Sequence, residues 1–250
     1  MRIGIITGAS SGMGREFVNV IMDEDLNLDE VWVIARREQR LKFWQRIYRK
    51  QKFRVLPLDM GDSRQMDQLK ETIATEKPQI RLLIHCAGFG IMGDISEIAR
   101  KDQMEMVDIN CKSLVDLTSM VLPYMERGAQ MIYLASGAAF LPQPGFAVYA
   151  ASKAFTLSFV RALRAELKGE DIRVTAVCPG PVKTEFFKRA GGEKKLPFYK
   201  KLAMATPEKV VKKAWEDSKA NKEISIYGIM MNLFYVAAKI IPHRIILYFM

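Results

Sequence analysis

The stretch TGASSGMGRE, residues 7–16, directly follows the short apolar run IGIIT at residues 3–7. Its glycines have the spacing G-x-x-x-G-x-G: Gly8, Gly12 and Gly14. Glycine permits a tight turn and a close approach of the backbone to a ligand, and free N–H groups at the start of a helix favour a phosphate. Because the pattern lies between a predicted strand and a predicted helix, it indicates a loop that binds the pyrophosphate of a dinucleotide rather than an ordinary glycine-rich turn.

Outward from this loop, apolar runs without polar alternation recur along the chain. They are IGIIT at 3–7, VWVIA at 31–35, FRVLPL at 53–58, IRLLIHCA at 80–87, MIYLAS at 131–136, IRVTAVC at 172–178 and EISIY at 223–227. Such runs are typical of parallel strands that are buried on both faces. Helices are predicted between them at 13–24, 37–50, 63–75, 101–125, 149–168 and 207–219, with caps at Ser63 and Thr206. The sequence therefore predicts an α/β fold, a doubly wound parallel seven-stranded sheet (Rossmann-like) with an apolar C-terminal tail.

The domain organisation follows from length and composition. The chain has 250 residues, of which 49% are apolar, and no Pro/Gly/Ser-rich linker divides it. One domain is therefore expected over residues 1–227, including a substrate loop at 184–206. The tail at 228–250 is apolar but shorter than the roughly 20 residues of a membrane-spanning helix. We expect it to pack on the domain, as a buried helix or a lid over the substrate pocket, at a subunit interface, or on a membrane surface.

Cysteine and histidine usage excludes two classes of protein. The three cysteines form no C-x-x-C motif and there are only two histidines, so neither a disulfide scaffold nor a metal site is expected. Residues 2–7 read as a buried strand, which leaves no room for a signal peptide in front of the fold. We expect the protein in the cytoplasm, with contact to the membrane periphery left open.

The net charge of +10 is unevenly distributed. Residues 183–222 contain twelve Lys or Arg and five Asp or Glu. This excess indicates either a solvated basic face or attraction to an anionic partner: a membrane surface, a nucleotide or an acidic carrier protein. No nucleic-acid partner is expected, because no helix-turn-helix, RNP or zinc-finger signature accompanies the charge.

A tyrosine four residues before a lysine occurs three times: Tyr48 and Lys52, Tyr149 and Lys153, Tyr235 and Lys239. Only Tyr149, within YAASK, has a serine thirteen residues upstream, Ser136, at the end of a predicted strand. An open α/β sheet places its ligand crevice at such strand ends. An ammonium beside a phenol favours the phenolate and so eases transfer of the phenolic proton. This pair is therefore the candidate for proton transfer.

The glycine loop, Ser136, Tyr149 and Lys153 resemble the short-chain dehydrogenase/reductase family, and the similarity covers roughly residues 2–227. The resemblance implies that Tyr149 is the general acid for reduction and the general base for oxidation. It implies that Lys153 lowers the pKa of Tyr149 and holds the nicotinamide ribose. Ser136 would hydrogen-bond the substrate oxygen, and Asn110 would orient a water that relays protons to Lys153.

The resemblance also implies a set of cofactor-binding residues. These are Gly8, Ser10, Ser11, Gly12, Met13, Gly14, Arg36, Arg37, Asp59, Met60, Ala87, Gly88, Tyr149, Lys153, Pro179, Gly180, Val182 and Thr184. Within it, Asp59 matches the residue that meets the adenine amino group, and Thr184 matches the hydroxyl that reaches the carboxamide or the phosphates.

Cofactor preference is predicted from the end of the second strand, where a carboxylate would repel a 2′-phosphate. This chain has Arg36 and Arg37 there. Guanidinium groups bind phosphate, so NADP(H) is preferred over NAD(H), with Arg36 as the main determinant. The alternative is that both arginines only start a basic helix.

One position departs from the family pattern. His85 and Cys86 stand where the family usually has two asparagines, so the asparagine hydrogen bonds across the sheet are lost or remade. A lone histidine is more often a core residue than a catalytic one, and we interpret His85 as structural.

The segments expected around the nicotinamide are apolar: Phe89, Ile91, Met92, Phe140, Leu141, Phe146, Phe186, Phe187, Leu196, Phe198 and Tyr199. They predict a small-molecule apolar carbonyl substrate. The predicted function is an oxidoreductase that transfers hydride between NADPH and an apolar ketone or aldehyde, or the corresponding secondary alcohol, of 3-oxoacyl, lipid or steroid type. The alternatives are a non-catalytic NADP-binding module in cell-envelope assembly or sensing, and a peripheral membrane protein. A homo-oligomer is expected.

Overall fold

The computed structural model describes residues 1–191 and 204–248. Within them, seven strands form one sheet: β1 Arg2–Thr7, β2 Glu30–Ile34, β3 Lys52–Leu56, β4 Gln79–His85, β5 Met125–Leu134, β6 Arg173–Val177 and β7 Ile224–Ser225. The strand order is β3-β2-β1-β4-β5-β6-β7, and every neighbouring pair is parallel. The predicted doubly wound parallel sheet is confirmed.

The helices between the strands lie close to their predicted positions, apart from a short helix at Phe186–Arg189 that was not predicted. They are α1 Gly12–Met22, α2 Glu38–Ile47, α3 Ser63–Glu76, α4 Arg100–Val107, α5 Ser113–Val121, α6 Ala147–Glu166, α7 Phe186–Arg189 and α8 Pro207–Lys219. The helix predicted over 101–125 is divided, because a π-helical turn at Asp108–Lys112 separates α4 from α5 and a 3-10 turn at Leu122–Tyr124 follows. Such turns often occur at functional sites.

The predicted cap of α3 is off by one residue. α3 begins at Ser63, but the side chain of Asp62 accepts the hydrogen bond from the backbone N–H of Arg64 at 3.0 Å. The Asp62 carboxylate, one residue before Ser63, accepts a hydrogen bond from a free N–H of the first turn. Its negative charge also interacts favourably with the positive end of the helix dipole. Thr206 precedes α8 and Pro207 takes its first position, as predicted.

Both faces of the sheet are covered, which explains why its strands lack polar alternation. On one face, Ile3 and Ile5 of β1 belong to a core that includes residues of α3, α5 and α6. On the other, Ile6 belongs to a core with residues of α1, α2 and α8. Alternate side chains of a strand point to opposite faces, so β1 contributes to both cores.

The chain after β7 is helical and lies against the sheet's carboxyl edge. α9 spans Ile229–Ile240 and α10 spans His243–Tyr248. α9 contacts the short 3-10 turn Gly137–Phe140 that follows β5. Among the residues described, no helix combines the length and the apolar character needed to cross a membrane. The domain boundary at residue 227 stays a prediction.

Candidate active site

A cavity of about 820 Å³ opens at the carboxyl ends of the strands. The loops after β1 and β4 both border it, and these strands lie side by side where the chain order of the sheet reverses. Ligands of open α/β sheets bind at this switch point. The cavity volume is within the range of small-molecule and cofactor sites.

The glycine loop turns into α1 at the edge of this cavity. Gly8 has a φ of +69°, and a Cβ there would lie 2.9 Å from the backbone carbonyl of Cys86. A Cβ on Gly14 would lie 2.5 Å from the carbonyl oxygen of Gly8. Side chains at either position would collide with backbone, so the loop passes unusually close to the loop after β4. The resulting cradle leaves the N-terminus of α1, which begins at Gly12, facing the cavity.

All the residues predicted to bind the cofactor line this one cavity. They are Gly8, Ser10, Ser11, Gly12, Met13, Gly14, Arg36, Arg37, Asp59, Met60, Ala87, Gly88, Tyr149, Lys153, Pro179, Gly180, Val182 and Thr184. The residues come from six separate segments of the sequence and converge on one site. Their shape and polarity fit a dinucleotide, and their individual contacts with it stay predictions.

Three of the four predicted catalytic residues also line the cavity. Ser136 follows β5, and its hydroxyl accepts a hydrogen bond from the backbone N–H of Ala138 at 3.1 Å. Tyr149 lies in the first turn of α6 and is buried. The Lys153 ammonium, one turn later, donates to the carbonyl oxygen of Leu134 at 2.8 Å and lies 5.8 Å from the centroid of the Tyr149 ring. The end of β5 and the start of α6 thus bring these groups together.

The pKa values of the pair show what the protein alone does to it. Burial raises the pKa of Tyr149 to about 12, and a hydrogen bond with Ser136 opposes this rise only in part. Burial also lowers the pKa of Lys153 to about 8. The resemblance implied a lowered pKa for Tyr149, whereas in this structure burial dominates. At neutral pH the phenol keeps its proton, which suits a proton donor.

Asn110 lies in the π-helical turn and is buried behind the cavity wall. Its side-chain oxygen accepts from the N–H of Phe89 at 3.0 Å, and its amide nitrogen donates to the carbonyl oxygen of Phe89 and to the hydroxyl of Ser152, both at 2.9 Å. A Cβ on Gly88 would lie 2.9 Å from the Asn110 oxygen and 3.2 Å from the Lys153 nitrogen. Asn110 and Lys153 therefore flank the same glycine.

Ser152 is a residue of this region that the sequence reasoning missed. Its hydroxyl donates to the carbonyl oxygen of Tyr149 at 2.7 Å and accepts from the amide of Asn110. It thereby connects α6 to the π-helical turn. The only signal in the sequence was its position next to Lys153 in YAASK. That position does not indicate a hydrogen bond to Asn110, because a serine within a helix does not reveal a partner far away in the chain.

The two arginines after β2 have different partners. Arg37 donates to the hydroxyls of Ser10, at 3.2 Å, and Ser11, at 2.6 Å. It also pairs with Glu185 at 2.8 Å, and Arg40 binds the same carboxylate. Arg36 instead lies 3.6 Å from Asp59 and is half exposed. Glu185 was not predicted, because nothing in its sequence surroundings indicates contact with α2.

The carboxylate of Glu185 is the shared counter-ion of Arg37 and Arg40. Hydrogen bonds from Arg37 and Arg40 lower its pKa to about 2. It also lines the cavity, next to Thr184 in sequence. The segment that precedes α7 is therefore tied to the arginines at the end of β2.

His85 is buried at the end of β4, as the structural interpretation expects. Its Nδ1 lies 3.2 Å from the hydroxyl of Thr7, which itself accepts hydrogen bonds from the N–H groups of Cys86 and Ala87. Because both lone pairs of the Thr7 oxygen are used by these N–H groups, its proton goes to Nδ1, and Nε2 carries the ring proton although the described residues offer it no hydrogen-bond partner. Burial, with a smaller effect of the Lys153 charge, lowers the pKa of His85 to about 3. Thr7 thus makes the link between β1 and the loop after β4.

The apolar side of the cavity is partly as predicted. Phe89, Met92, Phe146, Phe186 and Phe187 line it. Leu196, Phe198 and Tyr199 lie outside the described residues. Of the other predicted lining residues, Ile91 packs in the cluster around Tyr149, and Leu141 and Phe140 belong to a core that the tail covers.

Phe140 was predicted to line the cavity, but residues of the C-terminal tail line that part of it instead. The ring of Phe140 lies 4.7 Å from that of Tyr235 and 6.2 Å from that of Phe234, centroid to centroid. Met230, Met231 and Phe234 of α9 line the cavity directly. Among the described residues that line it, neither Tyr48 nor Tyr235 is found, which leaves Tyr149 as the tyrosine of the site. In residues 1–191 and 204–248 no cluster of three or more His, Cys, Asp or Glu could hold a metal ion.

The fold and the site together define a nucleotide-binding oxidoreductase, and comparisons with known proteins agree. A family model described as short chain dehydrogenase matches residues 2–195. Sulfoacetaldehyde reductase 2 of Chromohalobacter salexigens is 33% identical over 76% of this chain and 77% of its own length. The NADP-dependent 3-hydroxy acid dehydrogenase of Shigella flexneri is 30% identical over 92% of this chain and 94% of its own length.

Among solved structures, a short-chain dehydrogenase from Sphingobium yanoikuyae in complex with NADPH has the same fold. The TM-score is 0.82 at 22% identity, covering 96% of this chain and 92% of that one. The chain belongs to the short-chain dehydrogenase family. It is an NAD(P)-dependent enzyme that acts on small carbonyl compounds or alcohols.

Proposed function

We propose that this enzyme transfers hydride between NADPH and an apolar ketone or aldehyde, or the corresponding secondary alcohol. The observation that carries this proposal is the cavity that the glycine loop shares with Ser136, Tyr149 and Lys153 and with several aromatic and methionine side chains. The glycine loop suits phosphates and ribose. The aromatic and methionine side chains suit an apolar carbonyl compound.

The roles of the side chains follow from what hydride transfer requires. The bound nicotinamide supplies the hydride. Tyr149, held protonated by its burial, donates a proton to the substrate oxygen, and Ser136 donates a hydrogen bond to the same oxygen as negative charge develops. Lys153 holds the ribose and adds positive charge near the phenol. Asn110 ties the π-helical turn to the loop after β4 through Phe89 and to α6 through Ser152, and its water relay to Lys153 is part of this proposal.

Preference for NADP(H) is supported by cations at the end of β2. Arg36 and Arg37 both line the cavity, and Arg37 already contacts both serines of the glycine loop. The relative from Shigella flexneri carries NADP dependence in its name. We therefore assign Arg37 the larger share in binding a 2′-phosphate, with Arg36 as a second contact.

An apolar substrate is supported by the side chains beside Tyr149. The ring of Phe146 stacks on that of Tyr149 at 4.3 Å between centroids, and Phe186 lies 5.3 Å from it. Burial of an apolar group against such side chains contributes about 25 cal/mol per Å². The 3-oxoacyl, lipid and steroid types of substrate share this apolar character.

The proposal is tested with a panel of carbonyl compounds of increasing apolar size, assayed by loss of NADPH absorbance. We expect turnover with bulky apolar ketones or aldehydes and a decrease of about a hundredfold or more in Tyr149→Phe. The NADPH affinity of this variant should stay unchanged, because the benzene ring remains. Turnover that survives in Tyr149→Phe would refute the assignment.

The predicted homo-oligomer and the cytoplasmic location stay part of this proposal. So does contact of the basic surface with an acidic carrier protein. Sedimentation velocity tests the oligomer directly.

A further inference from the structure

Helix α9 is apolar on two opposite sides, and the fold covers only one of them. The covered side consists of residues three or four apart, Met231, Phe234, Tyr235 and Ala238, which pack on the core beneath Phe140. This spacing is that of one helix face. Packing of this face on the core accounts for the apolar residues on that side of α9 and not for those on the other side.

The opposite side of α9 faces outward. Ile229, Leu233, Val236 and Ile240, again at helical spacing, are 80%, 60%, 49% and 74% exposed. The exposed apolar surface continues after Pro242 with Ile245 and Leu247 of α10. A helix that is apolar all round is normally buried all round, and a contiguous apolar patch on a surface marks an interaction site.

The charges carried by α9 and α10 themselves are all of one sign. From Ile224 to the end of the chain there is no Asp or Glu, whereas Lys239 and Arg244 are exposed and His243 lies beside Arg244. The Lys239 ammonium lies 4.4 Å from the centroid of the Tyr235 ring, so its stem lies along the apolar helix while the charge stays at the rim. Two copies of this face in contact would oppose like charges, whereas an anionic lipid surface would neutralise them.

The outward face is also continuous with the mouth of the cavity. Met230 is 72% exposed and lines the cavity, beside Met231 and Phe234. A second copy of the chain on this face would cover the mouth with protein. A lipid surface there would bring apolar molecules to it.

We propose that α9 and α10 form an interfacial docking surface for anionic membranes. The helices lie in the plane of the membrane surface, with the outward side chains of α9 and α10 among the acyl chains and Lys239 and Arg244 at the phosphates. α9 has 12 residues, too few to span the bilayer. The inference goes beyond the proposed function, and it holds for any substrate.

The test is co-sedimentation of the full chain with vesicles of phosphatidylcholine alone or mixed with phosphatidylglycerol. Leu233→Gln/Ile240→Gln removes two outward side chains that do not line the cavity. Ile47→Gln/Ile95→Gln removes two apolar side chains elsewhere, 51% and 61% exposed, and is the matched control. A thermal melt followed by circular dichroism checks that each variant is folded.

We expect the wild type to bind the anionic vesicles at least about tenfold more strongly than the tail variant, which corresponds to about 1.4 kcal/mol. The control variant should bind like the wild type. Lys239→Gln/Arg244→Gln should lose the preference for anionic over neutral vesicles. Equal binding of the wild type and the tail variant would overturn the proposal. So would a wild type that ignores vesicles but forms a dimer that Leu233→Gln/Ile240→Gln dissociates, because a second copy would then cover this face.

Discussion

The guanidinium of Arg37 lies 2.8 Å from the carboxylate of Glu185, and this ion pair joins the loop after β2 to the segment before α7. Arg37 also holds both serines of the glycine loop. The group to which we assign the 2′-phosphate therefore already has an anion of the protein as its partner. We expect cofactor preference to depend on both residues.

Arg37→Ala should weaken NADPH binding by about tenfold or more and change NADH binding little. A charge-assisted hydrogen bond contributes about 1.5 to 3 kcal/mol, and only NADPH has the phosphate to receive it. Fluorescence titration with each cofactor measures both constants. Arg36→Ala is the matched comparison and should have the smaller effect, since Arg36 faces Asp59 at 3.6 Å instead. If Arg36→Ala were the more harmful variant, the assignment would move back to Arg36.

Glu185→Gln should tighten NADPH binding several-fold and leave NADH binding unchanged. The carboxylate occupies N–H groups of Arg37 and Arg40 and would repel a 2′-phosphate, whereas the neutral amide removes the repulsion and most of the competition. The same titration gives the result. Weaker NADPH binding in this variant would show that Glu185 positions Arg37 rather than competing for it.

His85 makes stability depend on pH. Its folded-state pKa of about 3 lies below the ordinary value of 6.5, so between these values the unfolded chain binds a proton that the native state does not. The free energy of unfolding therefore decreases as the pH falls below about 6.5, because the unfolded chain is stabilised by protonation of His85. Between pH 7 and pH 5 the loss is about 2 kcal/mol.

Urea unfolding at several pH values measures this loss. In His85→Asn the free energy of unfolding should fall by about 2 kcal/mol less over the same interval. The only other histidine, His243, is exposed and is present in both proteins. Parallel pH curves for the two proteins would contradict the predicted burial of a neutral ring.

Gly14→Ala should destabilise the fold by roughly 1 to 3 kcal/mol, because its Cβ would lie 2.5 Å from a backbone oxygen that has little freedom to move. The loss of cofactor affinity should be larger, since the cradle itself would open. Gly169→Ala is the control: nothing lies within 4 Å of its Cβ. Its free energy of unfolding should stay within about 0.5 kcal/mol of the wild type. Equal stability of both variants would mean that the glycine loop is not tightly packed.

Much of the fold could be predicted because its signals are local. Buried parallel strands are apolar throughout, so the runs at 3–7 and 31–35 identify themselves without knowledge of their neighbours. The glycine loop is equally local, since the positive φ angles at Gly8 and Gly12 favour glycine there. The π-helical turn at Asp108–Lys112 was missed, because no residue type marks it.

The sequence by itself determined the seven-stranded sheet, the glycine loop and the candidacy of Ser136, Tyr149 and Lys153, because these depend on spacing along the chain and on side-chain chemistry. Only the tertiary structure decided that burial keeps Tyr149 protonated and that Glu185, 148 residues away in sequence, is the partner of Arg37. It also decided that α9 lines the cavity and leaves its outward face exposed. Desolvation and long-range ion pairs depend on which segments meet in space, and no local pattern records that.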